Sequence, residues 1–206
     1  MRPLPRLHAI TDGRVRTLDD FGIRAAAIAA AGPAVALHAR DREASGAVLA
    51  ALAARIAALA APPEAQLAVN ARPDIAAACG AHGVQLGAGD LTVAEARRVA
   101  PRCWIGVSVH DDAGADSAAE AGADLLLVGT IFATASHPGR EGAGLALVER
   151  TARLGVPVVA IGGMTPERAR RARDAGAWGV AAIAALWDAP DPAAAALAML
   201  EPWMDE

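Results

Sequence analysis

"VPVVAIGGMTPERARRARDAGAWGVAAIAAL" occupies residues 156–186. It opens on an unbroken apolar run, turns through Gly162-Gly163, and enters a helix at Thr165-Pro166 with Glu167 in the first turn. A threonine cap followed by proline is a strong helix start. The arginine-rich stretch then ends at Ala-Gly-Ala, and a second apolar run begins at Trp178. Continuous hydrophobicity, without polar alternation, marks strands covered on both faces and hence a parallel sheet. The stretch is one strand–helix–strand unit.

The same unit recurs towards the N-terminus. Apolar runs stand at 7–10 (LHAI), 34–38 (AVALH), 65–69 (AQLAV), 83–86 (GVQL), 104–109 (WIGVSV) and 124–129 (DLLLVG), before the pair at 156–161 and 178–183. Alanine-rich stretches of helical period lie between them. "TVAEARRVA" opens with a threonine and a glutamate three residues on, the signature of a capping box. "DDAGADSAAEAGA" and "TPERARRARDAGA" resemble each other and enter the next strand through the same small residues. An open doubly wound sheet is one solution. The strand count and the repeated entry favour a compact (β/α)8 TIM barrel, a single domain over 1–206.

Composition narrows the chemistry. Of 206 residues, 54% are hydrophobic, enough for one large core. All 19 basic residues are arginine, and lysine and tyrosine are absent, which excludes a lysine Schiff base and a phenolic acid on this chain. A formal net charge of −4 argues against nucleic acid or an anionic membrane as partner. Cys79 and Cys103 match no metal spacing and read as reduced thiols. "MRPLPRLHAITDG" has no apolar signal core, and no apolar run reaches membrane-spanning length, so we expect a cytoplasmic protein.

In a barrel, chemistry sits where the strands end. Gly162 and Gly163 leave the backbone bare after the seventh strand. Ile183 and Ala184 do so after the eighth, just before a helix. Together they form an expected phosphate site. The other strand ends carry polar side chains: His38, Arg40 and Asp41; Asn70 and Arg72; Gln85 and Asp90; Ser108 and His110. After the sixth strand, residues 129–144 show no helical period and read as a lid holding Thr130, Thr134, Ser136 and His137. His82, which precedes the fourth strand, reads as structural, and so does His8, which opens the first, with a pocket role left open for it.

These motifs, "LHAITD", "NARPDIA", "GVQLG", "IGVSVH", "GTIFAT" and "PVVAIGGMTPERA", resemble the thiamine phosphate synthase/TenI superfamily of barrels across nearly the whole chain. The resemblance implies that a thiazole phosphate is held by backbone at the seventh and eighth strand ends. The synthase branch implies Mg²⁺, held by two carboxylates, and several cations around a leaving pyrophosphate. Here the branch's Q-x-R-x-K pattern is laid on Ala36, His38 and Arg40, its first carboxylate position holds Ala71, its second Asp90, and its lid lysine position holds His137. The TenI branch implies a thiazole tautomerase that moves one proton without a metal. Its histidine, after the glycine of the sixth strand end, is replaced by Thr130.

The sequence therefore favours a TenI-like thiazole tautomerase, with His137 first and His110 second as proton-transfer groups. Substrate contacts are expected from His38, Arg40, Asn70, Gln85, Ser108, Thr130, Thr134, Ser136, Gly162, Gly163, Ile183 and Ala184. No cofactor is expected; Mg²⁺ at Asp90 enters only if the chain is a thiamine phosphate synthase. A non-catalytic thiazole or thiamine phosphate-binding protein is the third reading. The expected partner is a small-molecule thiazole phosphate, with a homodimer left open.

Overall fold

The computed structural model describes residues 3–60, 64–134 and 141–204. Eight strands form a closed parallel barrel in chain order: β1 (Leu7–Ile10), β2 (Val35–Ala39), β3 (Gln66–Asn70), β4 (Gly83–Leu86), β5 (Trp104–Val109), β6 (Leu125–Gly129), β7 (Val158–Ile161) and β8 (Gly179–Ala182). Each lies within two residues of an apolar run in the sequence. The barrel is closed by β1 pairing with β8, Leu7 opposite Val180 and Ala9 opposite Ala182.

Helices follow the strands on the outside: α1 (Gly13–Arg16), α2 (Phe21–Ala29), α3 (Gly46–Ala60), α4 (Pro73–Ala78), α5 (Val93–Val99), α6 (Asp112–Glu120), α7 (Leu145–Ala152), α8 (Pro166–Asp174), α9 (Ala184–Trp187) and α10 (Pro192–Leu200). Their starts are written locally. Thr92 and Glu95 form the capping box of α5. Asp111 caps α6 and Thr165 caps α8, each accepting from a backbone N–H three residues on. The short α9 follows β8 directly.

The strands sort their side chains by parity. Leu7, Ala9, Val35, Leu37, Leu67, Val69, Val84, Ile105, Leu126, Val128, Val158 and Val180 point outward into the helix-covered core. The alternate set fills the interior: Ile10, Ala36, Ala68, Trp104, Leu125, Leu127, Val159 and Ala181. Each fully buried large aliphatic side chain contributes about 1.5–3 kcal/mol by leaving water. Glycines make room for the bulk inside. A Cβ at Gly83 would sit 2.1 Å from the Trp104 ring, and one at Gly106 would sit 2.3 Å from Gln85 Oε1. The floor is closed by Trp104, whose Nε1 donates to Gln66 Oε1 at 3.0 Å, while Gln66 Nε2 donates to the Pro3 carbonyl at 2.7 Å. Among the described residues, no helix is long and apolar enough to cross a membrane.

Candidate active site

The interior of β1–β5 is polar, unlike the Val/Ile/Leu filling usual in such barrels. His8 and His38 are both fully buried, with His8 Nδ1 2.8 Å from His38 Nε2. His8 Nε2 lies 3.3 Å from the Pro5 carbonyl, and His38 Nδ1 lies 3.0 Å from Asn70 Oδ1. Trp104 walls the pair, its ring centroid 5.8 Å from His8 and 6.2 Å from His38. Burial pushes His38 down to about 4, and Arg40 adds to the lowering, against the Asn70 hydrogen bond, which raises it. Burial also holds His8 well below the usual histidine range, with the neighbouring His38 acting in the same direction. Both imidazoles are neutral at pH 7.

Above His38, on the same inward parity, stands Arg40. Its backbone N–H donates to Thr11 Oγ1 at 2.9 Å, which ties the end of β2 to that of β1. The Arg40 guanidinium is half-buried and, among the described residues, has neither a hydrogen-bond nor an ion-pair partner. Burial and the nearby Arg42 lower its pKa, against the opposing pull of Asp12 and Asp41. Asp41 itself is paired to Arg16 at 2.8 Å. An unpaired, partly desolvated guanidinium at a barrel mouth is an anion ligand in waiting.

Further round the mouth, Gln85 Nε2 donates to Ser108 Oγ at 3.0 Å, while the buried Gln85 Oε1 has no partner. Asp90 Oδ2 accepts from the Gly87 N–H at 2.7 Å. Arg72 turns away to pair with Asp74 on the surface. Ala71 is held at φ +62°, a left-handed conformation that favours asparagine or aspartate over alanine.

The β6–β8 side is built from backbone. Gly162 and Gly163 take φ +107° and +61°. A Cβ on Gly162 would sit 2.4 Å from Thr130 Cγ2, and one on Gly163 would sit 2.6 Å from the Ala133 carbonyl. These glycines admit the loop after β6 against the end of β7, where Ile131 N–H donates to Ile161 and Phe132 N–H to Gly162. Arg168 covers the turn, donating to the Gly163 carbonyl and lying 4.7 Å over Phe132. Ile183 then caps α9, whose first-turn amides at Ala184 and Ala185 have no intrahelical acceptor.

His110 stands exposed at the end of β5, and its Nδ1 donates to the Gly129 carbonyl. That leaves Nε2 as the basic nitrogen, beside the peptide that carries Thr130. Thr134 closes the described part of the lid; Ser136 and His137 lie outside the described residues.

The structure thus gathers His38, Arg40, Asn70, Gln85, Ser108, His110 and Thr130 at one end of the barrel, with the bare strand ends at Gly162, Gly163, Ile183 and Ala184 opposite. Of the synthase-like pattern, Ala36 is sealed inside beside His8 and Gln66, below the mouth. His38 stands two residues further along β2, and Arg40 lies just past its end. Sequence reasoning missed His8 as part of this network, although its parity with Ile10 pointed it inward. His82 is structural, its Nδ1 accepting from the Leu67 N–H at 3.1 Å.

Residues 7–186 match the family model described as thiamine monophosphate synthase. The chain belongs to that family. It is 42% identical over 193 residues to the thiamine-phosphate synthase of Methanoregula boonei, covering 92% of this chain and 89% of the relative. It is 43% identical over 169 residues to that of Thermus thermophilus, covering 81% of each. Among solved structures, it resembles the thiamine phosphate pyrophosphorylase from Pyrococcus furiosus, with a TM-score of 0.81 and 30% identity over 96% of this chain and 94% of that one.

Proposed function

We propose that the chain is a thiamine phosphate synthase, joining a pyrimidine pyrophosphate to a thiazole phosphate in thiamine biosynthesis. The observation that carries this reading is the Arg40 guanidinium at the mouth, without a partner among the described residues and with Arg42 close enough to lower its pKa. A tautomerase has one phosphate and one carboxylate to hold and no leaving pyrophosphate to stabilise. The relatives that cover most of this chain bear the synthase name. In the reaction, the bond between the pyrimidine methylene carbon and the pyrophosphate oxygen breaks, and its electron pair leaves with the oxygen. The thiazole nitrogen then supplies its lone pair to that carbon, so a C–N bond forms and no proton moves. Arg40 and Arg42 hold the departing anion and stabilise the charge that builds on it. The strand ends at Gly162–Gly163 and Ile183–Ala184, with the first turn of α9, hold the thiazole phosphate at the opposite wall.

The donor set accommodates Mg²⁺ at the lower limit. This ion is commonly held by one or two carboxylates together with substrate phosphates. Asp90 supplies one carboxylate here, and Ala71 supplies none. The ion, when bound, neutralises the leaving pyrophosphate; Asp90 would hold it.

One specific observation favours a second reading, the thiazole tautomerase. The Gly129 carbonyl fixes His110 with Nε2 as its basic nitrogen, beside the position where Thr130 replaces the histidine of TenI proteins. Incubation of the purified protein with both synthase substrates and Mg²⁺, followed by phosphorus NMR, tests the first reading. Thiamine phosphate and pyrophosphate in equal amounts are expected. No product, with metal-independent conversion of the carboxylated thiazole phosphate, would replace it with the second. Binding without turnover of either would leave a non-catalytic carrier.

A further inference from the structure

The buried histidines form three contacts in a row: Pro5 carbonyl to His8 Nε2, His8 Nδ1 to His38 Nε2, and His38 Nδ1 to Asn70 Oδ1. The first member is an acceptor, so His8 Nε2 carries a proton. With a neutral His8, its Nδ1 is then a lone pair, and His38 must donate to it from Nε2. A neutral His38 therefore has only a lone pair left at Nδ1. With Asn70 Oδ1 inward, as the structure sets it, two acceptors would then face each other across 3.0 Å; reversing both tautomers would repair that contact but leave the His8 Nε2 lone pair facing the Pro5 carbonyl. The amide nitrogen and oxygen of asparagine are nearly isosteric, and the network decides which faces inward. Inside a sealed wall of Trp104, Ile10 and Ala68, a charged imidazole pair is the expensive solution.

We propose that His8 is a positioning residue. Through His38 it turns the Asn70 amide so that Nδ2 donates inward and Oδ1 faces the barrel mouth, as an acceptor for an N–H group of the ligand. All hydrogen bonds then run one way, from Asn70 through His38 and His8 to the Pro5 carbonyl. On the adjacent strand its register partner Gln85 keeps Oε1 buried against Gly106, so it does not reach the mouth. The polar side of the mouth thus offers one carbonyl oxygen backed by bonds that fix its orientation. This matches an amino-substituted heterocycle and not a second anion. The ligand half of the inference rests on the proposed synthase reading; the amide orientation does not.

Nitrogen-15 correlation spectra of histidine-labelled protein at pH 7 read the orientation directly. His8 and His38 should both be neutral and protonated at Nε2. A His38 protonated at Nδ1, or doubly protonated, would overturn the proposal whatever the enzyme does. The ligand half is read by titration with the pyrimidine pyrophosphate. His8→Leu removes the acceptor for His38 and should give mixed His38 tautomers and about tenfold weaker binding, the worth of one oriented hydrogen bond. His8→Gln, whose side-chain oxygen can accept from His38, should restore the single tautomer and bind within about threefold of the parent. Equal affinity in all three proteins would reject the positioning role. Loss of synthase turnover alongside intact tautomers and intact binding would instead count against the proposed reaction.

Discussion

Strands β2–β5 and strands β6–β8 close the same barrel, yet they equip its mouth by opposite means. The first group spends interior positions on His38, Asn70, Gln85 and Ser108, and sets Arg40 above them. Each of these is held by a neighbour: His8 behind His38, Thr11 behind Arg40, Ser108 beside Gln85. The second group fills its interior with Leu125, Leu127, Val159 and Ile161 and ends in backbone, with Gly162 and Gly163 letting the β6 loop press close. Side chains can change charge and donor type by single substitutions. Backbone amides cannot. The side-chain half is therefore where one family can alter its chemistry, and under the proposed reading the backbone half is where a common phosphate handle is retained.

The largest contrast should appear on substituting the backbone half. Gly162→Ala puts a Cβ 2.4 Å from Thr130 Cγ2 and 2.9 Å from its Cα, at a φ of +107° that alanine does not adopt. We expect a loss of about 2–4 kcal/mol in unfolding free energy, measured by urea denaturation, since the obstructing atoms include backbone. A stable Gly162→Ala protein would show that the β6 loop does not depend on this contact.

The polar half should instead announce itself in acid. His38 is held at about 4, below its unfolded value of 6.5. The unfolded chain therefore binds its proton first as pH falls. The stability is fully present above pH 6.5 and is lost progressively as pH falls towards 4. The loss from His38 alone is at most about 3 kcal/mol. Burial shifts His8 in the same direction and adds to it. Denaturation at pH 7 and pH 4.5 should show a steeper loss for the parent than for His38→Gln. Parallel curves would mean that the pair is not neutral in the folded protein.

A smaller effect is expected at position 71. Ala71 already sits at φ +62°, where aspartate is more at ease. Ala71→Asp should leave thermal stability within about 1 kcal/mol and add a carboxylate near Asp90. The Mg²⁺ concentration for half-maximal synthase activity should fall. An unchanged Mg²⁺ requirement would remove position 71 from the metal's surroundings.

Much of this was written in the sequence. Unbroken apolar runs located all eight strands because a parallel barrel buries both strand faces, and the paired glycines marked the end of β7 because few other residues sit there. The interior network was not legible to the same degree. His8 lies in an apolar run and looks like core filling; only strand parity and closure bring it to within 2.8 Å of His38. Periodicity gives the face of a strand and not its depth, so the position of Ala36, sealed beside Gln66, became visible only in the structure. The relatives, in turn, give greater weight to the synthase than did the missing carboxylate and lid lysine. Gly162 and Gly163 were expected to admit a ligand; what packs against them in the structure is the loop after β6.

The most direct test of the two-sided mouth is a pair of Michaelis curves for Arg40→Ala, one for each substrate with the other saturating. If the polar half takes the pyrophosphate, the KM for the pyrimidine pyrophosphate should rise about 10–100-fold, as expected for losing a charge-assisted contact, while the KM for the thiazole phosphate stays within about twofold. A rise confined to the thiazole phosphate, or no change in either, would contradict the assignment of the two halves.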